Sequence, residues 1–98
     1  MKVPISSLNK IYENRVRLGI MSVLMINKSY DFNSLKGALD VTDGNLASHL
    51  KALEENGLIR INKQFIGRKP NTSYSITDEG RISFSNHLRA LEEIIKTQ

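Results

Sequence analysis

The stretch Thr42-Asp43-Gly44-Asn45-Leu46-Ala47-Ser48-His49-Leu50-Lys51-Ala52-Leu53-Glu54-Glu55-Asn56-Gly57 decides the fold. Thr42 is an N-cap residue whose hydroxyl can take up an orphan N–H. Leu46, Leu50 and Leu53 follow at spacings of four and three, the stripe of an amphipathic helix. Gly57 suits the left-handed position just past a helix end. The reading predicts a helix over about 42–56. Its first turns present Asp43, Gly44, Asn45, Ala47, Ser48 and Lys51 outward. A helix that offers short polar side chains from its N-terminal half can enter a DNA major groove and reach base edges.

Working outward, Leu58, Ile59, Ile61, Phe65 and Ile66 interleave with Arg60, Asn62 and Lys63 in a strand-like pattern. Gly67-Arg68-Lys69-Pro70-Asn71-Thr72 reads as the turn, and Ser73-Tyr74-Ser75-Ile76 as the returning strand. This predicts a wing over about 58–76. No acid lies between Asn56 and Ile76. Arg68 and Lys69 at the tip fit phosphates or a narrow minor groove, where negative potential draws arginine in. Arg60 and Lys63 are further phosphate candidates.

Thr77 caps a last helix over about 77–96, with Asp78 and Glu79 where the helix dipole favours acids. Phe84, Leu88, Leu91 and Ile95 recur along it like a coiled-coil seam. On the N-terminal side, Pro4 suits a first helical turn. Ile5, Leu8, Ile11 and Tyr12 recur at helical spacing over residues 4–12. Val16 to Ile26 is apolar around the whole helix, so it belongs in the core. Tyr30-Asp31-Phe32 reads as one rung of strand. Asn33 reads as the cap of a two-turn helix with Leu35, Ala38 and Leu39 on one face, and Asp40-Val41 as the turn into Thr42. Ser34 and Lys36 stand in the first turns of that short helix.

The 98 residues form one domain, residues 1–98, mainly α with a small antiparallel β wing. With 14 Lys+Arg against 10 Asp+Glu, the net charge of +4 favours polyanions. Cysteine is absent, which removes disulfides, thiolate metal sites and cysteine nucleophiles. The longest apolar run, Gly19 to Ile26, is too short to span a membrane. Met1-Lys2-Val3-Pro4-Ile5-Ser6 has no signal-peptide apolar region, so a cytoplasmic location is expected. No catalytic motif, cofactor site or metal site is expected, and no membrane partner.

The order of elements resembles small winged helix-turn-helix regulators of the MarR and ArsR type. The resemblance rests on Asn14-Arg15-Val16-Arg17-Leu18-Gly19-Ile20-Met21, on Val41 through Glu54, on Asn56-Gly57-Leu58-Ile59, and on Tyr74-Ser75-Ile76-Thr77-Asp78-Glu79-Gly80. It covers roughly residues 12–96. It implies helices around a three-stranded wing sheet, and a homodimer built from the first and last helices. The chain departs from metal-sensing relatives in having no cysteine pair and only His49 and His87 as histidines. It is also shorter than drug-sensing relatives, whose extra terminal helices shape a ligand pocket. No small-molecule effector is assigned.

The expected function is sequence-specific binding of double-stranded DNA by a homodimeric transcriptional regulator, a repressor at a near-palindromic operator. The expected DNA contacts are Ser34, Lys36, Thr42, Gly44, Asn45, Ser48, His49, Lys51, Arg68 and Lys69. Asn45 can pair bidentately with adenine. Gly44 permits close backbone approach, and Asp43 fits capping better than DNA. For His49, DNA contact ranks ahead of a structural role and well ahead of metal ligation. Arg15 and Arg17 suit either phosphates or dimer ion pairs. The expected dimer seam is Ile5, Leu8, Ile11, Tyr12, Phe84, Leu88, Leu91 and Ile95. The alternative is a winged-helix module that binds protein, since fold does not fix function. Its polar recognition face and basic wing rank DNA first. Three Tyr, three Phe and no Trp make a poor stacking surface for RNA.

Overall fold

The computed structural model describes residues 2–98. Two 3₁₀ turns, Ile5–Ser7 and Lys10–Tyr12, precede α1 (Arg15–Ile26). The chain continues through β1 (Tyr30–Asp31), α2 (Phe32–Leu39), α3 (Asp43–Glu55), β2 (Ile59–Ile66), β3 (Lys69–Ile76) and α4 (Asp78–Lys96). The three strands form one antiparallel sheet in the order β1-β3-β2. The winged-helix fold expected from the sequence is thus present.

The helical reading of residues 4–12 is corrected. Leu8 is extended, and the Asn9 side chain accepts from Ile11 N–H at 3.0 Å, which starts a separate turn. Asn9 N–H also donates to His87 Nδ1 at 3.1 Å, tying the segment to α4. A run this short gains little from helix cooperativity, so such tertiary bonds set its path. Asn14 caps α1 by accepting from Val16 and Arg17 N–H.

The cap of α2 is also corrected: it is Asp31, not Asn33. Asp31 accepts from Ser34 N–H at 3.1 Å and from the Ser34 hydroxyl at 2.6 Å. These bonds hold its carboxyl below the usual carboxylate range, the hydroxyl contributing most. Phe32 therefore starts the helix instead of extending the strand. Ala38 is exposed, and Leu35 is the residue of α2 that is buried.

The core gathers one face of every helix. Val16, Ile20, Met21 and Leu24 of α1 meet Leu35, then Leu46, Leu50 and Leu53 of α3, with Ile59 and Tyr74 from the sheet. Burial pushes the Tyr74 phenol up, with Glu54 adding to the effect. Tyr12 and Phe84 belong to this core too. Their rings meet edge-on at 5.1 Å, and the Tyr12 hydroxyl bonds Ser83 Oγ at 2.8 Å. Both were expected at a dimer seam, but they are 1 % and 3 % exposed within a single chain.

Helix α3 ends in a Schellman motif. Leu58 N–H donates to Leu53 C=O, Gly57 N–H donates to Glu54 C=O, and Gly57 has φ of 72°. The next residues lock onto α4. The Leu58 carbonyl accepts from Thr77 N–H at 3.1 Å, and the Thr77 hydroxyl donates to Gly57 C=O at 2.7 Å while accepting from Gly80 N–H. A Cβ on Gly80 would lie 1.9 Å from the Leu58 oxygen. Close packing, not tolerance, explains glycine in this helix.

The hairpin turn is shorter than expected. Ile66 pairs with Lys69, leaving Gly67-Arg68 as a two-residue loop with Gly67 at φ of 65°. Lys69 and Pro70 therefore belong to β3. Proline is tolerated there because β1 pairs only with Tyr74 and Ser73. At Pro70 the outer side of β3 has no partner, so the missing N–H breaks no ladder bond. The wing and α4 make the molecule long, 59 × 26 × 21 Å, with a radius of gyration of 15.1 Å. A compact domain of this length measures about 13 Å.

Gly80→Ala is expected to destabilise the protein by about 3 kcal/mol, because the obstacle is backbone. Gly44 has nothing within 4 Å of an added Cβ. Gly44→Ala is expected to stabilise by about 0.5 kcal/mol. Urea unfolding of the two variants checks both signs.

Candidate nucleic-acid interface

The three buried leucines hold one side of α3 against the core and leave the other in solvent. Thr42, Asp43, Gly44, Asn45, Ala47, Ser48 and Lys51 are exposed on it. Thr42 is the N-cap, its Oγ1 accepting from Asn45 N–H at 3.2 Å. Its hydroxyl hydrogen remains free to donate outward. Asp43 sits in the first turn and also pairs with Lys36 Nζ at 2.8 Å, joining α2 to α3. The pair is solvent-exposed and contributes little to stability. It does cancel Asp43's charge beside the helix end where DNA would approach.

The outer face divides along its length. Its first two turns are small and nearly neutral, and its last turn carries exposed Glu54 and Glu55. Acids there repel phosphate, so only the N-terminal half suits a groove. Lys51 stands at the divide, 4.0 Å from Glu55, with most of its side chain in solvent. Ala47, left out of the expected contacts, is exposed between Asn45 and Ser48. An outward methyl at that place can meet a thymine methyl. Its outward position was visible in the helical register.

His49 lies apart from this face. It is half-buried, and its Nδ1 lies 3.0 Å from Arg17 Nη1. A guanidinium only donates, so Nδ1 accepts and the neutral ring carries its proton on Nε2. Burial lowers the His49 pKa first, and the Arg17 charge lowers it further. Arg17 Nε also donates to the Ile11 carbonyl at 2.5 Å. One arginine thus joins the N-terminal segment, α1 and α3. Sequence spacing gave no sign of it, because Arg17 and His49 are 32 residues apart.

Ser34 is exposed at the start of α2, but its hydroxyl hydrogen is committed to Asp31. Phosphate there would meet a carboxylate as well. Arg68 and Lys69 are exposed at the wing tip. Among the described residues the ion pairs are Lys36–Asp43, Lys51–Glu55 and Lys96–Glu92, so no wing cation is neutralised. The described residues contain no group of three or more potential metal ligands from His, Cys, Asp and Glu. No described helix is long and apolar enough to cross a membrane.

The lowered His49 pKa has a definite sign in stability. The unfolded chain takes up a proton near the ordinary value of about 6.5, and the folded chain takes it up only at lower pH. Stability is therefore full above that value and falls as pH drops below it. The urea midpoint of the native protein is expected to fall between about pH 8 and pH 5.5 by more than that of His49→Gln. Equal falls in the two proteins would show that the histidine does not carry this linkage.

Comparison with known proteins agrees with this geometry. A family model described as a winged helix DNA-binding domain matches residues 16–95. An uncharacterized protein of Methanocaldococcus jannaschii is 38% identical over 87 residues, covering 89% of this chain and 95% of its own. A transcriptional regulator homologue from Pyrococcus horikoshii OT3 superposes with a TM-score of 0.84 at 38% identity, covering 91% of this chain and 88% of that one. A structure from Enterococcus faecalis V583, assigned as a MarR-family transcriptional regulator, gives 0.75 at 25% identity, covering 90% and 78%. The exposed polar half of α3, the basic wing and these likenesses agree: the chain belongs to the winged helix DNA-binding domain family and is a small, MarR-like DNA-binding regulator.

Proposed function

We propose that the protein is a homodimeric, sequence-specific reader of double-stranded DNA that represses transcription at a near-palindromic operator in the cytoplasm. The observation that carries the proposal is the outer face of α3, small and polar for two turns, followed in the chain by a wing with unneutralised cations. Asn45, Ala47 and Ser48 read base edges in the major groove. Thr42 and Lys51 bond phosphates, and Gly44 lets the backbone come close. Arg68 and Lys69 hold the wing on the flanking minor groove. Lys36 reaches phosphate by leaving Asp43, which is a small loss for an exposed pair. Ser34 and His49 are the weakest members of the expected set, because Asp31 and Arg17 already engage them.

What α4 leaves uncovered supports the dimer. Leu88, Leu91 and Ile95 are 44 %, 45 % and 65 % exposed, and Ile5 is exposed on the N-terminal segment that packs beside α4. Leu8 and Ile11 are half-buried and complete the seam at its edge. Tyr12 and Phe84 support it from within the core. A two-fold axis along this seam sends two copies of α3 into successive major grooves, about 34 Å apart. Repression follows if the bound dimer occludes a promoter.

Selection from a random duplex library is expected to enrich an inverted repeat. Each phosphate contact contributes about −0.9 to the slope of log K against log salt. Arg68→Ala/Lys69→Ala is therefore expected to flatten the slope by about 3 to 4 for a dimer. No enrichment and no salt dependence would sink the DNA-reading function. Leu88→Lys/Leu91→Lys is expected to give monomers by light scattering and to weaken operator binding at least tenfold. Monomers that bind the full site as tightly as the native protein would refute the paired half-site arrangement.

A further inference from the structure

The wing tip carries two exposed apolar side chains, one on each face of the ribbon, that the contacts above do not use. Phe65 is 74 % exposed and Ile66 is 64 % exposed, at the end of β2 farthest from the core. The strand shows why they are uncovered. Along one face, Ile59 is buried, Ile61 is half-buried, and Lys63 and Phe65 are exposed. Phe65 shares the face of Ile59 and Ile61, at the end where the core no longer covers it. Across the ladder it pairs with Pro70. The hairpin closes on the hydrogen-bonded pair Ile66–Lys69, so Phe65–Pro70 is a non-hydrogen-bonded pair, the kind that holds side chains closest. The register thus sets the Pro70 ring beside the phenyl group on the same face.

An exposed phenylalanine costs solubility, and its surroundings indicate what covers it. From Gly57 to Ile76 the chain has four cations, Arg60, Lys63, Arg68 and Lys69, and no acid. None of the four is in an ion pair among the described residues. Arg60 sits at the base of the wing near Asp78 and Glu79, whereas Lys63, Arg68 and Lys69 lie toward the tip, and a purely apolar protein partner would have to desolvate those three without compensation. A polyanion with apolar walls satisfies both. The DNA minor groove is one: phosphates line its rims, and sugars and base edges line its sides. At about 6 Å wide it excludes a two-stranded ribbon but admits side chains from the ribbon's tip.

We infer that Phe65, paired with Pro70, is a minor-groove wedge that presses against the sugars and base steps flanking the recognition site. The cations hold the rims on either side. Apolar wedges of this kind partly unstack the step they enter and bend the duplex toward the major groove. The inference rests on the DNA-reading function proposed above and adds to it a second source of selectivity. Steps that unstack easily, such as TA and CA/TG, are favoured beneath the wing.

The test uses the full chain and the enriched duplex, or a mixed-sequence duplex if none enriches. 2-Aminopurine is placed at successive steps outside the half-sites. The variants are Phe65→Ser, Phe65→Leu and Arg68→Ala/Lys69→Ala. At 74 % exposure, Phe65 can be replaced without loss of fold. Native protein is expected to raise 2-aminopurine fluorescence at one flanking step. Phe65→Ser is expected to lose that rise and about tenfold in affinity, with the salt slope unchanged, because apolar burial releases no counterions. Phe65→Leu is expected to keep most of both. The Arg68→Ala/Lys69→Ala variant flattens the slope instead. Native affinity and fluorescence in Phe65→Ser would overturn the inference while leaving DNA reading intact. So would a change confined to oligomeric state or to binding of anionic vesicles, which would make Phe65 a protein or lipid contact. If no duplex binds the native protein, the DNA-reading function and the wedge fail together.

Discussion

The contact between the Leu58 carbonyl and Gly80 fixes the relation of the parts. The Schellman turn at Gly57 stops α3 and redirects the chain. Leu58 then presses its backbone against the first turn of α4, where only glycine fits. Thr77 closes the joint by bonding Gly57 while capping α4. Three elements leave this one point: α3, the wing, and α4 with its exposed leucines. Rotation at the joint would change the angle of α3 and the wing relative to α4. Rigid placement of a reading surface depends on such backbone contacts more than on side-chain adhesion.

Around that joint the charges are distributed unequally. The N-terminal half of α3 is close to neutral once Lys36 answers Asp43. The wing is cationic throughout, and the C-terminal half of α3 is acidic. Base readout needs short neutral donors and acceptors, whereas affinity needs cations at the phosphate rims. Acids beyond Lys51 restrict how deep or how tilted the helix can lie. The modest net charge of +4 therefore understates the field at the face that matters.

The central helices and the wing were legible in the sequence because local chemistry dictates them. Thr42, Gly57 and Thr77 mark helix ends by bonds to their own neighbours, and Leu46, Leu50 and Leu53 declare their face by spacing alone. The misread parts depend on distant contacts or on competing local options. Residues 4–12 have helical spacing, but Asn9 turns instead to Ile11 and to His87 on α4. Asp31 outcompetes Asn33 as a cap because it adds the Ser34 hydroxyl to the usual amide bond. Pro70 looks like a loop residue until the sheet order shows that its outer side is unpartnered. Tyr12 and Phe84 fit a seam by periodicity, and only tertiary packing reveals that they face each other inside one chain. The engagement of His49 by Arg17 could not be seen without the fold.

Strand β2 forms an open edge of the sheet along its eight residues. Open edges are templates on which a second copy can add strands, a route to aggregation. Here the edge strand carries Arg60 and Lys63 and no acid of its own. Two such edges approaching one another place like charges together, so growth of a continuous sheet is opposed. The opposition is electrostatic and weakens as the Debye length shrinks from about 10 Å at 0.1 M salt to about 3 Å at 1 M. The colloidal stability of the protein should therefore decline with ionic strength, and polyanions that coat the wing would act as solubilisers for the free chain.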